Sequence, residues 1–270
     1  MAAAPRWRLA SRSVVVTGAS KGIGLAVCKL AASMGARVLM AARNEAELQA
    51  AAQQVGASAV VCACDLATDE GRRKLVAAAE EVFGGELHCL VNNAGTNVRR
   101  PIEEQTQDEY DAIVNLNQHA VYHLCRLFQP MLTRGAASRG DGDFGASVVT
   151  VGSAAGVGST GSGSAYGATK AAVAQLCRIL ACEWAKFRIR VNCVAPWVTV
   201  TPLLEAALAK DPNSLAKAEA RTPMRRAARP EEIADAVVFL LLDASSYITG
   251  QVLSVDGGLS ANHFAGPTVE

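Results

Sequence analysis

Residues 13–24, Ser13-Val14-Val15-Val16-Thr17-Gly18-Ala19-Ser20-Lys21-Gly22-Ile23-Gly24, constrain the fold of this chain more than any other stretch. An unbroken β-branched run without polar alternation reads as a strand buried on both faces, the kind that parallel sheets contain. The glycines that follow interrupt regular structure, and Leu25, Val27, Leu30 and Ala31 then resume at helical spacing. Strand, glycine turn and helix open a βαβ unit. In that context the glycines let backbone approach a pyrophosphate, and the helix amino terminus presents unpaired N–H groups and partial positive charge to it. Gly18, Ser20, Lys21, Gly22, Ile23 and Gly24 are therefore candidate dinucleotide-binding residues.

The rest of the chain repeats the alternation. Strand-like runs fall near residues 13–17, 36–41, 58–63, 87–92, 146–152, 189–195 and 251–255, with helical patterns between them. Such alternation predicts an α/β fold: a doubly wound, seven-stranded parallel sheet with helices on both faces. With 270 residues, half of them apolar, the chain is long enough to bury a large core, and residues 1–270 are expected to form a single domain. Thr106-Gln107-Asp108-Glu109 has the pattern of a capping box opening a helix. Arg134–Gly145, rich in Gly, Ser and charge, reads as an extended surface loop.

Charge selects among dinucleotides. The second strand, Ala36-Arg37-Val38-Leu39-Met40-Ala41-Ala42, ends where an NAD-binding fold places an acidic residue for the ribose 2′-hydroxyl. Here Arg43 follows, Lys21 adds a second cation, and the first acidic residue of the whole chain is Glu45. A 2′-phosphate is favoured, so NADP(H) is the expected cofactor; the alternative is that Arg43 is a solvated residue at a helix start.

Tyr166-Gly167-Ala168-Thr169-Lys170 places a phenol and an ammonium four residues apart, on one face of a helix. A fixed positive charge favours phenolate over phenol, so such a ring can exchange a proton near neutral pH. Upstream, Ser147-Val148-Val149-Thr150-Val151-Gly152-Ser153 reads as a buried strand ending in a hydroxyl. The glycine-rich run Gly156–Gly163 between them is a loop that can fold Ser153 toward Tyr166. Each feature alone has a structural explanation, a surface helix pair or a hydrogen-bonded strand end. Together beside a nucleotide loop they point to carbonyl–alcohol interconversion.

Thr17-Gly18-x-x-x-Gly22-x-Gly24, Asn92-Asn93-Ala94-Gly95, Ser153, Tyr166-x-x-x-Lys170 and Asp256-Gly257-Gly258 occur in the order and spacing of the classical short-chain dehydrogenase/reductases, which the chain resembles over nearly its whole length. Asn92–Asn97, Tyr122-His123-Leu124, Tyr166–Lys170 and Glu183-Trp184-Ala185-Lys186 look most like plant tropinone reductases and tropinone-reductase-like proteins. The resemblance implies a Rossmann-type fold. It also implies a catalytic set of Asn117, Ser153, Tyr166 and Lys170, in which the Asn117 side chain supports a water between Lys170 and solvent. The family pattern, with Pro130 near the end of the helix, selects Asn117 over Asn115. Further cofactor contacts are implied for Asp65 and Leu66 at adenine, for Asn93, Ala94 and Gly95, for Tyr166 and Lys170 at the nicotinamide ribose, and for Pro196, Val198 and Thr201 near the nicotinamide. For Asp65 the alternative is a helix-start carboxylate.

Residues 198–228 correspond to the family's substrate lid, and a homodimer or homotetramer is the expected assembly. The chain departs from the family pattern at Trp197, where most relatives have Gly after the proline. The reaction implied is NADPH-dependent reduction of a small ketone or aldehyde. Two other readings stay open: a 3-oxoacyl-[acyl-carrier-protein] reductase, and a non-catalytic NADPH-binding sensor or scaffold.

A net charge of +1 supplies no field for nucleic acid or an anionic membrane. Arg99-Arg100 with Arg221, Arg225, Arg226 and Arg229 are candidates for a local basic patch. No run approaches a bilayer-spanning length, and no secretory segment or full transit peptide is evident, so a cytoplasmic location is expected. The eight cysteines lie mostly in apolar runs without C-x-x-C spacing, as reduced buried thiols would. His119 and His123 share a helix face but lack a third ligand, so no metal site is expected.

Overall fold

The computed structural model describes residues 5–139, 145–208 and 212–262. Seven parallel strands form one sheet: β1 (Ser13–Thr17), β2 (Arg37–Ala42), β3 (Ala59–Ala63), β4 (Cys89–Asn92), β5 (Ala146–Val151), β6 (Ile189–Pro196) and β7 (Val252–Val255). Their order is β3-β2-β1-β4-β5-β6-β7. Every expected strand is present, with ends within two residues of those read from the pattern. The helices of the described residues are α1 (Gly22–Ser33), α2 (Glu45–Val55), α3 (Asp69–Phe83), α4 (Gln107–Val114), α5 (Ala120–Ala137), α6 (Ser164–Trp184), α7 (Pro202–Leu208), α8 (Ser214–Arg221) and α9 (Pro230–Leu241).

Alternation along the strands divides the core into two layers. Val15, Leu39, Leu90, Val148 and Val191 face Leu75 of α3, Leu124 and Phe128 of α5, and Val173 and Cys177 of α6. Val14, Val16, Val38, Val149 and Val194 face Val27 of α1, Leu48 of α2, and Val237 and Leu241 of α9. Both faces of the central strands are thus covered, which is why β1 and β6 are buried along their length; β6 carries Arg190 and Asn192 inside because both donate to backbone carbonyls, at Ile248 and, for Arg190, also at Leu242. Burying one such Val or Leu contributes roughly 1.5–3 kcal/mol.

Strand order reverses between β1 and β4, and in a doubly wound sheet a crevice opens there, beyond the carboxyl ends of the strands. The loops at that point are stitched together. Thr17 Oγ1 accepts from the backbone N–H groups of Asn93 and Ala94 at 2.9 and 3.0 Å. Asn93 Nδ2 donates to the carbonyls of Thr17 and Gly18 at 2.9 and 3.1 Å.

Local expectations meet mixed outcomes. Thr106 and Glu109 form the reciprocal capping box at the start of α4. Arg134–Ala137, expected in a loop, instead complete α5, and residues 140–144 of that stretch lie outside the described residues. Pro130 sits inside α5 rather than near its end. All eight cysteines are free thiols, with Cys182 exposed and the others buried. Among the described residues no group of His, Cys, Asp or Glu is arranged to hold a metal, and no helix is long and apolar enough to cross a membrane.

Candidate active site

A cleft of about 1630 Å³ runs across the carboxyl edge of the sheet. Pockets for single small ligands are typically ~300–1,000 Å³, so this one has room for a dinucleotide and a second molecule. Gly18, Ser20, Lys21, Gly22, Ile23, Arg43, Leu66, Asn93, Ala94 and Gly95 line it. Ser153, Tyr166, Lys170, Pro196, Val198 and Thr201 line it too.

Why the glycine loop is glycine is a matter of distance. Gly18 has φ +64°, and a Cβ on Gly24 would stand 2.2 Å from the Gly18 carbonyl oxygen and 2.5 Å from Asn93 Nδ2. Gly24 therefore does not line the cleft; it lets α1 approach the β1 turn, so that the amino terminus of α1 points into the crevice. A Cβ on Gly22 would lie 3.3 Å from Thr201 Cγ2, which places Thr201 directly over the loop. A backbone cradle at a helix amino terminus, with a φ only glycine adopts freely, fits a pyrophosphate.

The Ser153 and Tyr166 segments are brought together by small residues. Ser153 ends β5 and leads into a short turn, Ala154–Gly156. At Gly156 a Cβ would lie 2.6 Å from the Lys170 carbonyl carbon, and at Gly167 one would lie 3.2 Å from the Ala155 carbonyl oxygen. The turn is thus seated on the backbone of α6, whose first turn carries Tyr166. Ser153 Oγ accepts from Ala155 N–H at 3.1 Å, which leaves its O–H directed elsewhere.

Lys170 is 5 % exposed, and its Nζ donates to the Val151 carbonyl at 2.8 Å. The same Nζ lies 5.7 Å from the centre of the Tyr166 ring. A Cβ on Gly95 would stand 3.2 Å from Asn117 Oδ1 and 3.6 Å from Lys170 Nζ, so glycine there lets Asn117 and Lys170 share one corner.

Asn117 occupies a π-helical turn, Asn115–His119, between α4 and α5. Its Oδ1 accepts from Thr96 N–H at 2.8 Å, while Nδ2 donates to the Thr96 carbonyl at 2.9 Å and to Thr169 Oγ1 at 3.4 Å. The amide clamps the loop after β4 onto α6. Both ends of the amide are engaged with protein, and the second lone pair of Oδ1 is what remains for the water that the resemblance implies. Asn115 pairs instead with His119 Nδ1 at 3.1 Å.

Other sequence expectations shift as well. Asp65 does not line the cleft; its Oδ1 accepts from Ala67 N–H at 3.0 Å in a local turn, and the helix start proposed as its alternative role is capped by Thr68, while Leu66 and Cys64 face the cleft. The Arg43 end is less purely cationic than the sequence suggests, since Glu47 lines the cleft and pairs with Lys21 at 3.3 Å. The basic patch is dispersed: Arg100 pairs with Glu109 and Arg226 with Glu232, while Arg229 lies 3.6 Å from Glu232. The hydrogen bond from Arg226, followed by the Arg229 backbone N–H, holds the Glu232 carboxyl down to about 2. Sequence reasoning also missed Thr17 and Thr222, whose roles rest on contacts between distant segments.

The doubly wound sheet, the glycine cradle and the cleft define a dinucleotide-dependent oxidoreductase. A family model described as "Enoyl-(Acyl carrier protein) reductase" matches residues 18–260. The chain is 43 % identical over 263 residues to a tropinone reductase homolog of Arabidopsis thaliana, covering 96 % of each. It is 42 % identical to a second such homolog of that plant, described as chloroplastic, covering 96 % of this chain and 79 % of the relative. Among solved structures, the RhlG/NADP active-site complex of Pseudomonas aeruginosa superposes with a TM-score of 0.87 at 34 % identity, over 95 % of this chain and 99 % of that one. A 3-ketoacyl-(acyl-carrier-protein) reductase of Brucella melitensis complexed with NADH gives 0.85 at 31 % identity, over 93 % and 99 %. The chain belongs to the short-chain dehydrogenase/reductase family, on its tropinone-reductase-like side, and is an NAD(P)-dependent oxidoreductase.

Proposed function

We propose that this protein is an NADPH-dependent reductase of small ketones or aldehydes. The observation that carries the reading is the meeting of Ser153, Tyr166 and a buried Lys170 in the cleft that also holds the glycine cradle. The chemistry the bound nicotinamide supplies is hydride transfer to the carbonyl carbon. Tyr166 donates the proton to the carbonyl oxygen, and the Ser153 hydroxyl, its lone pair already engaged by Ala155 N–H, donates a hydrogen bond to that oxygen. Lys170 places a cation beside the phenol and would hold the ribose of the bound cofactor. Asn117 is a positioning residue that keeps the loop of residues 93–96 against α6.

The preference for a 2′-phosphate rests on Arg43, exposed at the cleft beside Asn44 and Glu47. Residues 198–228 act as the substrate lid, and residues 1–270 as one unit. Exposed Tyr110, Tyr122 and Ile179 on α4, α5 and α6 support a homodimer or homotetramer built on those helices. Cytoplasmic placement completes the reading.

The test is consumption of NADPH across a panel of carbonyl compounds. Tyr166→Phe should remove turnover while leaving NADPH affinity within about threefold; undiminished reduction by that variant overturns the assignment. Arg43→Ala should lower the NADPH-over-NADH preference by about tenfold. The carrier-protein reading is weakened because Arg100 is neutralised by Glu109, and Arg226 and Arg229 by Glu232, while an acidic carrier needs a coherent basic dock outside the cleft. Binding of NADPH with no carbonyl consumed would favour the sensor.

A further inference from the structure

The charges lining the cleft are distributed unevenly. Lys21, Arg43 and Lys170 belong to the cofactor and catalytic parts, and the single acid among the described lining residues, Glu47, is paired with Lys21. The other charged lining residues described are Arg99, Lys217 and Arg221. All three are cations, and the proposed function gives none of them a task.

Their placement is built by the fold. Ser214, Lys217, Ala218 and Arg221 line the cleft, a spacing that makes one face of α8 its wall. That helix is held at its carboxyl end by Trp197. The indole Nε1 donates to Thr222 Oγ1 at 3.0 Å, and the Thr222 hydroxyl donates in turn to the Ala218 carbonyl at 2.8 Å. Thr222 is 1 % exposed, and its Cγ2 packs 2.7 Å from where a Gly257 Cβ would stand. The segment after Trp197 also closes on itself, since Ala228 N–H donates to Val198 and Val200 N–H to Ala228, both at 2.9 Å. Arg99, also in the lining of the cleft, is anchored by Nε to the Gly161 carbonyl at 2.8 Å, which spends one of its five N–H donors. Trp197, Leu203 and Leu204 add apolar surface to the same cleft.

We infer that the substrate is an organic anion: a carbonyl compound with an apolar body and a carboxylate or phosphate recognised by Arg99 and the α8 face ending in Arg221. The inference rests on the reductase reading and names the substrate class of that same site. Arg99 and Arg221 are exposed at the cleft, and no acid stands beside them among the described lining residues; guanidinium groups so placed favour an anionic over a neutral ligand and disfavour a protonated amine.

The test compares 4-carboxybenzaldehyde with its methyl ester at saturating NADPH. Wild type should favour the carboxylate in kcat/KM by about tenfold, mainly through KM, and the preference should shrink as salt rises. The double substitution Arg99→Glu and Arg221→Glu should invert the ratio, a readout that general misfolding does not move because it lowers both rates together. Trp197→Phe keeps a ring but loses the bond to Thr222, and should reduce the ratio by releasing α8. If the ester is reduced as well as the carboxylate, with a ratio that neither variant nor salt changes, the inference fails while the reductase reading stands. If the double variant loses NADPH affinity in a fluorescence titration with the ratio intact, the arginines serve the cofactor and the inference fails. If neither aldehyde nor any other carbonyl consumes bound NADPH, it is the reductase reading that fails.

Discussion

Gly24→Ala tests whether the cradle is set by packing at one carbon atom. The new Cβ would lie 2.2 Å from the Gly18 carbonyl oxygen and 2.5 Å from Asn93 Nδ2. Ordinary carbon–oxygen contacts lie near ~3.3 Å, so about 1 Å of overlap must be relieved. Neither obstacle is the loose end of a flexible side chain. Gly18 O is backbone, and Asn93 Nδ2 is spent on the Thr17 and Gly18 carbonyls. Relief therefore means moving α1 or breaking those two bonds. Overpacking costs about 1–3 kcal/mol and two lost hydrogen bonds about 1 kcal/mol each, for a total near 3–5 kcal/mol. At ~2–4 °C per kcal/mol for a chain of this size, Tm should fall by about 10 °C. Displacement of the loop by ~1 Å should also weaken NADPH binding by about a hundredfold. Thermal unfolding and a fluorescence titration with NADPH read the two effects. Gly158→Ala is the control, because a Cβ there meets nothing within 4 Å and its φ is not positive; it should stay within about 0.5 kcal/mol of wild type. A Gly24→Ala protein with wild-type Tm and NADPH affinity would refute the reasoning.

Three further outcomes are expected. Asp243 holds Arg12 and Arg139, each at 2.7 Å, with the Arg12 side chain 5 % exposed; Asp243→Ala strands a buried cation and should cost about 3–5 kcal/mol in urea unfolding, with NADPH affinity unchanged. Burial, reinforced by Arg12 and Arg139, pushes His88 down to about 4. The unfolded chain, with an ordinary histidine near ~6.5, then takes up the proton first, so stability should fall as pH drops from about 6.5 to 4 and the fall should be smaller in His88→Asn. Asn117→Ala frees the loop of residues 93–96 from α6 and should lower kcat by about tenfold or more while leaving the helical circular dichroism signal intact; equal loss of both would make its role purely structural.

Much of this protein was legible before any coordinates. β1 could be placed because its central run, Val14–Val16, is apolar at every position, as a strand buried on both faces requires, and the Thr106 cap because its pattern is complete within four residues. The cleft-lining residues at 18, 20–23, 93–95, 153, 166 and 170 were readable for a related reason: a turn or helix spacing fixes which of them share a side. Contacts between segments far apart in the chain were not readable. Only the tertiary structure turned Asp65 away from the cleft, set Glu47 against Lys21, and clamped the Asn117 amide to Thr96. It also extended α5 through Ala137 and set Arg100 against Glu109 and Arg226 against Glu232. Trp197 shows the division best. Its sequence position marks a bulky ring where small residues are usual, but its meaning depends on Thr222, 25 residues away. Sequence pattern determines which face of an element is apolar and where backbone must bend, because both are local. Which side chain meets which is decided by how the elements pack.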